Sequence, residues 1–145
     1  MQECIHDVKV WMSSNKLKLN DDKTEAMIVP PQRMSASLPM PDSLTVGTAN
    51  VMFSQSVKAL SVTLDTHLTM KKQVIDLVRT ANFELRRTNS IRHHLSVEVT
   101  QKLVLAFVMS RLDYCNSLHY VCPQYLINRL QRVQNNAARL ILKVP

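Results

Sequence analysis

Glycine is nearly missing from this chain: Gly47 is the only one in 145 residues. That excludes a glycine-rich loop cradling phosphates and argues against a sheet with many tight turns, leaving helix as the default expectation. Cysteine is scarce as well. Cys4, Cys115 and Cys122 make an odd set without dense spacing, which points away from a disulfide scaffold and towards a reduced, intracellular setting, nuclear or cytoplasmic. The longest apolar run, Leu103 to Met109, is far too short to cross a bilayer, so no membrane partner is expected. Glu3, His6 and Asp7 near the start replace the basic opening and apolar stretch of a signal peptide.

What is present fits a folded protein. Hydrophobic residues make up 46% and charged residues 20%, a globular profile and not that of a disordered tail. A compact chain of this size buries roughly 70% of its unfolded surface, enough for a core. The formal charge is +7, with 18 Lys and Arg against 11 Asp and Glu. Such a balance favours polyanionic partners, although solvated basic helices are common too.

Three regions separate by pattern. In residues 1–29, Cys4 or Ile5, Val8, Trp11 and Met12 recur at helical spacing, and Thr24 to Val29 reads as a short strand. Residues 30–42 hold four of the six prolines and read as a loop, because proline removes backbone donors and restricts its predecessor. Residues 43–67 read as short strands turned about Gly47 to Asn50 and near Ser54 to Ser56, with Leu60, Val62 and Leu64 alternating on one of them. Residues 68–145 are helical in pattern. Thr69 is the expected N-cap of a helix to about Thr88, with Val74, Leu77, Val78, Ala81 and Leu85 on one face. Ser96 caps a second helix with Glu98 in its first turn, and Leu103–Met109, without a polar face, should be its buried centre. Pro123 opens a third, striped by Leu126, Leu130, Val133, Ala137 and Leu140. The expected core of this bundle includes Leu77, Phe107, Leu130 and Val133.

Three strings, in order, carry a family likeness. WMSSNKLKLNDDKTEAMIV, with Trp11, Leu19, Asn20, Lys23 and Thr24, resembles the helix, turn and strand that follow the active-site hairpin of LINE-type (non-LTR, jockey-like) reverse transcriptases. VKALSVTLDTHLTMKKQV is similar to that family's primer-grip strand block. SRLDYCNSLHYVCPQYLINRLQRVQNNAARLIL is similar to its thumb and post-thumb helices. The resemblance covers nearly the whole chain. It implies an α+β fold: an N-terminal helix and short strands of a partial palm, a primer-grip hairpin, then a thumb-like bundle of about three helices. One departure is Ser61, where the family has glycine, so a backbone position suited to positive φ carries a side chain. Another is the absence of the family's catalytic aspartates, which lie upstream of the matched region. Met1 falls inside the family's palm, and Pro145 stops where family members continue.

The expectation is therefore an inactive fragment of an RNA-directed DNA polymerase that keeps its template–primer-gripping region. It would have no catalytic residue and no cofactor, whereas the parent family uses magnesium. The alternatives are a small basic nucleic-acid-binding module derived from the thumb, and a helical interaction module self-associating through an exposed palm-facing surface. Lys23 matches the family lysine near the incoming nucleotide. Without the rest of a palm it reads as an exposed turn lysine. Asp21 and Asp22 form an acidic pair, but two-metal chemistry needs a further acid that this chain does not place beside them. Cys115, His119 and Cys122 offer three ligands where a closed zinc site wants four, so no metal is expected. His93 and His94 should meet the C-terminal carbonyls of the first thumb helix. The candidate binding residues are basic. Lys72, Arg79 and Arg86 are spaced by seven, and Arg129, Arg132, Arg139 and Lys143 lie opposite the apolar stripe of the third helix. Such stripes suit phosphate contact with RNA, DNA or their hybrid.

Overall fold

The computed structural model describes residues 2–30, 42–47 and 49–144. The architecture is α+β as expected, with five helices and two small two-stranded antiparallel sheets among the described residues. Residues 31–41 of the expected proline-rich loop lie outside them. The chain divides into two compact units, residues 1–60 with 66–68, and residues 61–65 with 69–145. No described helix is long and apolar enough to cross a membrane.

The first unit opens with α1 (Gln2–Ser14). It ends in a Schellman turn: the Leu17 N–H donates to the Met12 carbonyl at 2.8 Å and the Lys16 N–H to that of Ser13 at 3.1 Å. The left-handed position of that turn usually holds glycine. Here it is Lys16, at φ 60°. Ile5 and Met12 are half-buried, whereas Val8, Val10 and Trp11 are exposed. Strands β1 (Ser43–Val46) and β2 (Ala49–Met52) pair antiparallel, with Leu44 opposite Val51 and Val46 opposite Ala49. Gly47, at φ 63°, turns the chain between them as the sequence implied. The strand expected over Thr24–Val29 is not formed. Only Ala26 bridges to a neighbour, Phe53, because the residues around it have no extended partner among the described residues.

Strands β3 (Ser56–Ala59) and β4 (Val62–Asp65) form the second small sheet. The alternation read through Leu60 does not hold. Leu60 is 87% exposed and sits with Ser61 in the turn, at φ 47° and 68°. Positive φ at both central residues is the geometry that suits the twist of a two-residue hairpin. Ser61 thus occupies the conformation that glycine would adopt at no steric cost.

The second unit is built round α2 (Lys71–Ser90), α3 (Val97–Val104), α4 (Ser110–Asp113) and α5 (Gln124–Leu142). Asp65 organises the start of α2, accepting from the Thr69 N–H and hydroxyl, both at 2.9 Å. The Thr69 hydroxyl in turn accepts from the Lys71 N–H at 3.3 Å. Ser96 caps α3 as expected, its hydroxyl accepting from the Val99 N–H at 3.2 Å. Ala81, Leu85, Val104, Val108, Leu112, Val133 and Ala137 form the core.

Leu103–Met109 departs from the expected buried centre. Leu105–Met109 is a π-helical turn joining α3 to α4. Thr100, Val104, Val108 and Leu112 are all buried, each four residues after the last. In a regular α-helix each step of four overshoots one turn by about 40°. The wider π turn absorbs that drift and keeps the four in line. Leu105 and Phe107 then face out at 51% and 47% exposure, so Phe107 is not a core residue. Leu77 and Leu130 pack against the cluster, and Val133 belongs to it.

Arg92 holds the end of α5. It is 5% exposed, and its guanidinium donates to the carbonyls of Leu140, Leu95 and Ile141 at 3.0, 2.7 and 2.9 Å. Two of these acceptors are terminal carbonyls of α5, where the helix dipole favours positive charge.

Two outcomes follow. Ser61→Gly should raise unfolding stability by about 0.5–1 kcal/mol, since it relieves left-handed strain but loosens the unfolded chain. A urea midpoint that falls would contradict this. Arg92→Met should lose about 2–4 kcal/mol, because charge-assisted hydrogen bonds vanish and part-buried carbonyls lose their donor. A loss within experimental error would show the carbonyls are satisfied without it.

Candidate nucleic-acid interface

Three of the seven expected basic residues of the helical unit line one cleft. Arg86 on α2 and Arg139 and Lys143 at the end of α5 line one open cleft of about 600 Å³. Lys72, Arg79, Arg129 and Arg132 are exposed on the same two helices but outside that cleft. Lys23 belongs to the first unit, exposed on the turn Asp21–Lys23, where its N–H donates to the Asn20 carbonyl at 3.2 Å. Asp22 is exposed on the same turn.

On α5, Arg132 and Arg139 lie about 120° and about 140° of helix rotation from the centre of the Leu126–Leu140 stripe, and Arg129, about 60° away, borders it. Arg139 shares the cleft wall with Leu140, the last residue of that stripe.

The cleft depends on how α5 ends. Lys143 adopts φ 55° and the Val144 N–H reaches back to the Arg139 carbonyl at 3.2 Å, a Schellman-type closure with lysine in place of glycine. Beneath it Arg92 pins the adjoining carbonyls and itself lines the cleft. A rigid support therefore lies under longer, solvent-facing cations. Arg86, Arg139 and Lys143 have no ion-pair partner among the described residues. Ion pairs lie elsewhere, Arg87 with Glu84 at 3.4 Å and Lys102 with Glu98 at 2.8 Å. No Asp or Glu follows Asp113 in the sequence, so α5 carries no acid to neutralise its cations.

Several residues of the cleft went unnoticed in the sequence. Asn82 and Asn89 on α2 and Asn136 on α5 line it, and they sit within the same seven-residue rhythm as Arg79, Arg86 and Arg139. Arg92 was hidden behind its neighbours. His93 and His94 pack ring against ring, with centroids 3.8 Å apart, and it is Arg92 that meets helix-end carbonyls, those of α5.

Cys115 stands at φ 54° before the short 3₁₀ turn Asn116–Val121. The Cys122 thiol points to the Leu118 carbonyl at 3.9 Å, and burial pushes its pKa up. Burial also lowers the pKa of His119. Among the described residues no three His, Cys, Asp or Glu side chains are grouped to hold an ion. A raised thiol pKa opposes the thiolate that zinc requires. Protein purified without chelator should therefore carry no stoichiometric zinc by elemental analysis; one zinc per chain, lost in Cys115→Ser with Cys122→Ser, would overturn this.

No family model matches the chain, and no curated protein or solved structure matches it either.

Proposed function

We propose that this chain carries the template–primer-gripping region of a LINE-type RNA-directed DNA polymerase, and that its helical unit binds nucleic acid through the phosphate backbone. The observation that carries the binding half is the cleft in which Arg86, Arg139 and Lys143 gather without a neutralising acid. Phosphate oxygens are strong acceptors, and long cations round an open cleft meet them without reading base sequence. The family half rests on the three ordered strings, and Ser61 at φ 68° supports it, since the family's glycine suits that conformation. In this reading the chain supplies grip and not chemistry. Lys23, in the first unit, keeps a nucleotide-proximal role only in a polymerase whose palm is complete.

Fluorescence anisotropy with a labelled RNA–DNA hybrid across a salt series tests the binding half. Arg86→Gln, Arg139→Gln and Lys143→Gln together should flatten the slope of log affinity against log salt by roughly 2–3 units, about 0.9 per lost phosphate contact. The control combines Lys71→Gln, Arg87→Gln and Lys102→Gln, three other cations of the same unit, and should shift the slope far less. Equal flattening in both would mean that net charge, and not this cleft, draws the polyanion.

A further inference from the structure

The geometry points to the α2–α5 cleft as a seat for an unpaired nucleotide, so that the helical unit prefers single-stranded RNA or DNA to a closed duplex. This rests on the reading of the cleft as a phosphate-binding surface and adds what lies below its rim. The rim is cationic, but Leu85, Leu140 and Val144 also line the cleft. A phosphate gains nothing from an apolar wall. The face of a base does, and guanidinium planes such as those of Arg86 and Arg139 stack on bases as well.

The polar remainder fits the same occupant. Asn82, Asn89 and Asn136 reach the cleft from both helices, and their side chains have no hydrogen-bond partner among the described residues. Each carboxamide offers two donors and an acceptor, the complement of a base edge. A surface meant only for phosphates has no use for acceptors. In a duplex the base faces are stacked and the edges lie in grooves, so a closed helix can touch the rim but cannot lay a base on the floor. An unpaired nucleotide can do both at once.

The test compares a labelled oligothymidylate, its ribo counterpart, and each strand annealed to its complement, by anisotropy at matched salt. Both single strands should bind about fivefold to tenfold more tightly than their duplexes, the range expected for one base contact. Asn82→Ala with Asn136→Ala should remove most of that preference by weakening the single strands, with duplex affinity changing much less. The salt slope should hold, because no charge is removed, with circular dichroism confirming the fold. A tighter deoxyribo than ribo strand, or the reverse, would assign the source of the nucleotide and supports the proposal either way. Equal binding of strand and duplex with a steep salt slope would overturn the nucleotide seat while leaving phosphate binding intact. Loss of both duplex and single-strand binding to background would overturn the two readings together.

Discussion

The buried guanidinium of Arg92 is the constraint on which the helical unit depends. Its acceptors at Leu140 and Ile141 lie 48 and 49 residues along the chain, so it ties the connection after α2 to the far end of α5. A charge at 5% exposure with no carboxylate partner among the described residues is tolerable because helix-end carbonyls carry partial negative charge and fill the donors of the fork. Lysine, whose three donors share one nitrogen, could not reach carbonyls that Arg92 meets from three separate nitrogens.

That clamp also prepares the surface above it. By occupying the terminal carbonyls of α5, Arg92 leaves Arg139 and Lys143 to face solvent at a fixed place beside Arg86. The absence of any acid after Asp113 leaves α5 without an anion of its own, and no acid among the described residues lines the cleft. Structure and charge converge at one end of the α2–α5 pair.

Much of the helical unit was legible because its signals are local. The Ser96 cap, the reach of α2 and the stripe of α5 all follow from neighbouring residues and a period of 3.6. The failures share a different cause. Thr24–Val29 lacks a pairing partner among the described residues, apart from the Ala26–Phe53 bridge, and no local pattern reveals that. Phe107 left the expected core because a π turn changed the period within one helix. The turn at Leu60 and Ser61 carries no glycine to mark it. Seven described residues other than glycine take positive φ, so in this chain the scarcity of glycine hides turns that are nevertheless there. Of the candidate site, the cations were legible but their grouping was not. Arg86, Arg139 and Lys143 meet only through the packing of α2 on α5, and Arg92 acts on carbonyls that sequence cannot place.

The central claim is that a polyanion lies in this cleft. Chemical-shift mapping of isotope-labelled protein titrated with a short single-stranded oligonucleotide tests it most directly. The account predicts that the largest shifts fall on Arg86, Asn89, Asn136, Arg139 and Lys143. Saturable shifts centred instead on α3 or α1, with those residues unmoved, would contradict it.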